Sequence, residues 1–306
     1  MDRNAVSEDA CRENVKFSVQ LPGIKRTYKI MHITDVHVST AFPDEPEFFR
    51  KEAELRGGEY FPPHRGYSAA QRFPLYFEKA VELGLDCVLM TGDIIDFASR
   101  SNLELLSGTV RNAGIRTVYC LGNHDWSSMY DYHSAAFAAA LNDNFLDVVN
   151  AENEESGDKS VCGGQQAYGL PASAHYRAED MGEFIIFAVD NTLDRIDREA
   201  LEAARVVFSK DKPVLVACHI PFWSETLEEP TRNYWGSVLL IGERGLVPDE
   251  ATSEFVSLMT AQKSPVFAIA AGHIHFTHED IVAGRIPQFV TEEGHAGEYG
   301  IIEIRP

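Results

Sequence analysis

Short apolar runs recur along this chain, and each ends in a cluster of Gly, Asp, Asn or His. Residues 28–34 (YKIMHIT) lead to Asp35, residues 85–91 (LDCVLMT) to Gly92-Asp93, and residues 116–121 (RTVYCL) to Gly122. Residues 213–218 (PVLVAC) lead to His219, and residues 265–271 (PVFAIAA) to Gly272. Runs this short, rich in Val, Ile and Leu and bounded by turn residues, are the pattern of buried strands. Helical segments lie between them. Residues 68–84 start at Ser68, a candidate N-cap, and stop at Gly84, with Pro74 expected to kink or delay the helix. Residues 101–114 also end at a glycine, and 197–208 and 252–262 complete the set. Strand–helix alternation predicts a layered α/β fold. In such folds ligands gather at the carboxyl ends of strands, where every one of these polar clusters falls.

The 306 residues are 44% hydrophobic and 24% charged, enough apolar surface for a sizeable core. The expected organisation is a polar N-terminal segment, 1–20, at best partly ordered, followed by a single domain over 21–306. Irregular insertions near 39–67, 126–180 and 222–249 interrupt it, the second with a helix expected around 131–142. They read equally as binding loops and as solvated excursions. Lys and Arg number 27 against 47 Asp and Glu, a formal net charge of −20. That balance disfavours nucleic acid as a partner, because phosphate-backbone affinity rests on clustered cations. The five cysteines are scattered and form no CxxC pair, which argues against a zinc finger or a disulfide framework. Cys87, Cys120 and Cys218 read as small buried hydrophobes. The start of the chain lacks an apolar signal core, and no apolar stretch approaches ~18 residues. A cytoplasmic protein without a membrane span is expected.

Taken singly, the polar clusters are ordinary. Asp35-x-His37 reads as a solvated loop, though extended backbone would put both side chains on one side. Gly92-Asp93 reads as a turn and His219 as a core histidine, while His273-x-His275 is more specific. Together they change meaning, because five strand ends each deliver Asp, Asn or His, usually beside a glycine that permits close approach. Asp35, His37, Asp93, Asn123, His219, His273 and His275 are too many ligands for one ion, with His124 left over. They fit two ions sharing a bridging carboxylate, the arrangement that clamps both oxygens of a phosphoryl transfer. Nitrogen and oxygen ligands without thiolates suit divalent or trivalent transition metals such as Mn, Fe, Zn, Ni or Co.

The set Asp35-x-His37, Gly92-Asp93-x-x-Asp96, Gly122-Asn123-His124-Asp125, His219 and Gly272-His273-x-His275 resembles the calcineurin-like metallophosphoesterase superfamily. All five motifs stand in family order over about residues 28–276. The resemblance implies a four-layer α/β/β/α sandwich with a dinuclear site at the sheet edges. It implies Asp35, His37 and His275 on one ion, Asn123, His219 and His273 on the other, and Asp93 as the bridge. His124 is similar to the family's non-ligand histidine, which contacts the scissile phosphate or protonates the leaving oxygen, and Asp125 to the residue that orients it. Asp96 falls where the family varies and is expected at most to support a ligand. Cys218 stands where many members have Gly or Ser, which puts no ligand in doubt. The implied enzyme is a dinuclear-metal-dependent phosphoesterase, a phosphodiesterase or phosphatase, which hydrolyses a small phosphodiester or phosphomonoester by metal-activated hydroxide. The rivals are a nuclease of the same superfamily, against which the net charge speaks, and a catalytically silent scaffold, against which the intact positions speak.

Overall fold

In the computed structural model, which describes residues 10–125, 168, 170, 171, 173 and 175–306, the apolar runs become the strands of two sheets. One sheet contains β1 (Arg12–Gln20), β2 (Tyr28–Ile33), β3 (Cys87–Thr91), β4 (Thr117–Cys120) and β11 (Glu298–Arg305), in the order β1-β11-β2-β3-β4. The other contains β5 (Tyr176–Asp180), β6 (Ile185–Val189), β7 (Val214–Ala217), β8 (Val266–Ala271), β9 (His278–Val282) and β10 (Ile286–Val290). Its order is β5-β6-β7-β8-β10-β9. β2, β3 and β4 pair in parallel, as do β6, β7, β8 and β10, so each sheet gathers its carboxyl ends along one edge.

Alternation along the strands builds three apolar clusters. Ile30, Leu89, Val118 and Ile302 from the first sheet meet Ile186, Leu215, Ala268 and Phe289 from the second in one of them. Neighbouring residues point the other way. Met31, Val88 and Tyr119 pack with α2 (Ala69–Glu82) and α3 (Arg100–Arg111). Phe187, Val216 and Ile269 pack with α4 (Arg198–Phe208) and α6 (Glu250–Thr260). Each fully buried Leu, Ile or Phe contributes about 1.5–3 kcal/mol, so strands apolar on both faces are held firmly in register. That rigidity passes to the loops at their ends.

Local signals place the helices well. Ser68 caps α2 in a reciprocal pair with Gln71, and Gly84 takes φ +60° just past its end. Pro74 does not delay the start of the helix, because the cap and the burial of Phe73, Tyr76 and Phe77 fix it from Ala69. Three expectations are corrected. Within the polar segment 1–20, Arg12–Gln20 form a sheet edge: β1 pairs in parallel with β11 and buries Phe17. The first insertion carries α1 (Glu47–Leu55), and the third carries α5 (Glu225–Trp235). Both were invisible as periodicity because α1 buries only Glu52, and α5 only Leu227 and Thr231, so neither needs an apolar stripe. The helix expected around 131–142 lies outside the described residues. Among the described residues no helix is long and apolar enough to cross a membrane.

Candidate active site

The turns after β2, β3, β4, β7 and β8 converge where the two sheets meet. Five of the residues there adopt left-handed backbone: Asp35 (φ 51°), His37 (51°), Asp93 (51°), His273 (71°) and His275 (60°). Asp35 and His37 therefore share a side through two left-handed residues rather than through extended backbone. Non-glycine residues in this region cost on the order of 1–3 kcal/mol each and persist where the surroundings over-determine them. Gly122 shows how tight those surroundings are, since a Cβ there would lie 2.1 Å from Asp93 N and Oδ1.

Hydrogen bonds on the outer side turn the imidazoles inward. His219 Nδ1 donates to the Thr91 carbonyl at 2.8 Å, and His37 Nδ1 to Asp96 Oδ1 at 3.0 Å. Each Nε2 is left as a lone pair facing the centre, which is how outer partners fix the tautomer of a metal-binding histidine. His219 Nε2 lies 3.3 Å from Asp93 Oδ2, 3.1 Å from Asn123 Oδ1 and 3.1 Å from His273 Nδ1. His37 Nε2 lies 3.4 Å from His275 Nε2, 3.9 Å from Asp35 Oδ1 and 4.0 Å from Asp93 Oδ2. His275 Nε2 is 3.1 Å from Asp35 Oδ1. Two clusters result, Asp35-His37-His275 and Asp93-His219-His273, with Asp93 also grouped with His37 and His124. Asp35 Oδ2 accepts from Thr34 Oγ1 and the His273 N–H, while its Oδ1 is buried without a hydrogen-bond partner. Lone pairs thus face lone pairs at close range, and only protons or cations relieve that. The donor set fits two transition-metal ions.

Charge shows the same need. Burial opposes a charge on His219, yet Asp93 outweighs it and lifts the imidazole to about 10. Burial and the neighbouring His219 push His273 down to about 3. Burial works against Asp35 and Asp93 as carboxylates, but the surrounding imidazoles hold both below the ordinary range. Metal binding would take over from the protons that the carboxylates otherwise draw onto histidine.

The structure assigns the pair expected after β4 differently. Asp125 does not face His124. Its carboxylate accepts from the backbone N–H groups of Gly122 (2.7 Å), Asp93 (2.8 Å) and Ile95 (3.0 Å), bracing the two turns against each other. The residue beside His124 is Asp96, whose Oδ1 lies 2.8 Å from Nδ1. Burial counts against the charged imidazole, but Asp93 and Asp96 together raise His124 to about 9. Three more groups lie near the site. Arg56 bonds Asp96, Phe61 stacks on His37 with centroids 4.0 Å apart, and Trp235 sits edge-on to His275 at 5.3 Å. The loop after β10 also reaches in: the His295 N–H donates to the Asp35 carbonyl, and Glu293 is raised to about 7 by burial. The run IPQFVTEEGH repeats the strand-then-polar pattern and was the available signal for that loop. Asn191, after β6, accepts from the N–H groups of His219 and Ile220 and so supports the ligand turn.

Residues 28–276 match the family model described as calcineurin-like phosphoesterase. A dimetal phosphatase from Danio rerio is among the similar solved structures, at 12% identity and TM-score 0.49 over 88% of each chain. A purple acid phosphatase from yellow lupin, Lupinus luteus, aligns at 12% identity and TM-score 0.48, over 90% of this chain and 45% of the lupin chain. No curated protein matches the chain at a significant level of sequence similarity. The strand-end motifs lie inside the matched span, and the chain belongs to the calcineurin-like phosphoesterase family, as a metal-dependent phosphoric ester hydrolase.

Proposed function

We propose that the chain hydrolyses a small phosphodiester or phosphomonoester. Asp35, His37 and His275 would hold one transition-metal ion, Asn123, His219 and His273 the other, with Asp93 between them. The observation that carries this reading is the inward convergence of lone pairs, with Asp93 Oδ2 directed at both His219 and His37. Bound ions supply Lewis acidity toward phosphoryl oxygens and lower the pKa of water, which makes hydroxide available near neutral pH. The protein's own part is positional. Thr91 and Asp96 set the imidazole tautomers, Asp125 locks the turns of Asp93 and Gly122, and the left-handed residues hold the ligands before any ion arrives. His124, about a fifth exposed, is placed to give its Nε2 proton to the departing alkoxide while Asp96 stabilises the imidazolium. A net charge of −20 favours compact substrates that reach the centre without an extended cationic track.

The test is hydrolysis of bis-p-nitrophenyl phosphate and p-nitrophenyl phosphate by metal-stripped protein, with and without Mn²⁺. Metal-dependent cleavage of either ester, lost in Asp93→Asn, is expected. The reading fails if the loaded protein cleaves neither these nor a panel of monoesters, cyclic nucleotides and nucleotide pyrophosphates.

A further inference from the structure

Asp96 joins the ligand cluster to the leaving-group acid, and it is gripped from outside the strand-end motifs. Its Oδ1 accepts a hydrogen bond from His37 Nδ1 at 3.0 Å and pairs by charge with His124, whose Nδ1 lies 2.8 Å away. A carboxylate rotates easily about its last bond, so one orientation among many bonds His37 while keeping an oxygen beside His124. Arg56 selects it. Its Nε donates to Oδ2 at 2.5 Å and its Nη2 to Oδ1 at 2.8 Å, a two-pronged contact that fixes the carboxylate plane. Ser39 Oγ adds a bond to Oδ2 at 3.2 Å.

Arg56 opens a single π-helical turn, Arg56–Tyr60, that continues directly from α1. Such turns recur at functional sites. The Phe61 N–H closes the turn on the Arg56 carbonyl at 2.7 Å. The Phe61 ring then lies on His37 at 4.0 Å with an interplanar angle of 6°. The guanidinium carbon sits over both the Tyr60 and Phe61 rings, 4.7 and 5.0 Å from their centroids. The segment therefore holds His37 twice, through Asp96 at its Nδ1 and through Phe61 on its face. It holds His124 once, through Asp96.

We propose that Arg56 is a positioning residue, and that Arg56–Phe61 is a clamp setting the orientation of His37 toward the metal and of His124 toward the leaving group. This rests on the two-ion reading above. A lysine in place of Arg56 keeps the charge but offers a single point contact, so it cannot hold the carboxylate plane.

The test compares Arg56→Lys, Arg56→Met and Phe61→Leu with the wild-type chain. Calorimetry gives the Mn²⁺ affinity of each metal-stripped protein, steady-state kinetics give kcat and KM on an ester that the wild type cleaves, and circular dichroism confirms folding. Both Arg56 variants should lose roughly 10–100-fold in kcat, with KM within about threefold, and bind Mn²⁺ roughly tenfold more weakly. Phe61→Leu should weaken Mn²⁺ binding with a smaller loss in kcat. Full rescue by Arg56→Lys would overturn the proposal, because charge alone would then suffice. So would a loss borne by KM, which would put Arg56 on the substrate, or unchanged kcat and Mn²⁺ affinity. If Arg56→Met fails to fold, the Lys and Leu variants decide. If the wild type cleaves no ester, the functional reading falls, while the Mn²⁺ affinities still decide on the clamp.

Discussion

The two sheets meet at one site but bring different chemistry to it. The turns of the five-stranded sheet supply Asp35, Asp93, Asp96 and Asp125, together with Asn123, His37 and His124. The candidate ligands from the six-stranded sheet, His219, His273 and His275, are all imidazoles. Four buried carboxyl groups on one side cannot stay ionised without compensation. Without metal, Arg56 compensates Asp96, backbone N–H groups compensate Asp125, and protons drawn onto His124 and His219 supply the rest. The difference teaches that the anionic half creates the demand for cations, while the imidazole half would complete their coordination. Neither half is a site alone.

Asp93→Asn should break that comparison most severely, because Asp93 lies in the ligand group of each sheet. Two-metal catalysis is worth several kcal/mol of charge stabilisation, so kcat/KM should fall on the order of 10³-fold at 1.4 kcal/mol per tenfold. His273→Gln should cost less, and an equal or larger loss would refute the asymmetry between sheets. His124→Asn should cost about 10²–10⁴-fold with an alkyl ester, whose leaving group needs a proton, and much less with a p-nitrophenyl ester. Equal losses on the two would remove His124 from the acid role. Gly122→Ala should destabilise the fold by about 1–3 kcal/mol, as overpacking does. Gly58→Ala, where a Cβ meets nothing within 4 Å, is the matched control, and thermal melts read both.

The smallest effect concerns pH. His124 and His219 have folded values of about 9 and about 10, above the ordinary imidazole value of 6.5. Groups raised on folding contribute stability that is fully present below their unfolded value and is lost as pH rises through the folded one. The melting temperature of metal-stripped protein should therefore fall between about pH 7 and 10. Mn²⁺-loaded protein should fall less, because an ion would replace the proton on His219. Parallel curves with and without metal would contradict the charge exchange.

Legibility in the sequence followed the range of the contacts. Asp35, Asp93, Asn123, His219 and His273 could be read because each follows its strand within a few residues, so run, turn and side chain form one local signal. Ser68 was legible for the same reason. Asp96 beside His124, Arg56 on Asp96 and Phe61 on His37 depend on pairings across the fold, and no period or spacing records them. Asp125 shows the reverse hazard, since adjacency to His124 suggested a partner while its carboxylate turns to backbone N–H groups. Strand β1 escaped notice because an edge strand buries so little: only Phe17 along Arg12–Gln20 is fully covered.

The central claim is that the convergent lone pairs form a two-ion centre bridged by Asp93. Its most direct test is the stoichiometry of Mn²⁺ bound per chain, measured by calorimetry on metal-stripped protein and checked by elemental analysis. Two ions in the wild type, with both affinities weakened in Asp93→Asn, is the predicted result. One ion, none, or two whose affinities ignore Asp93→Asn would contradict it.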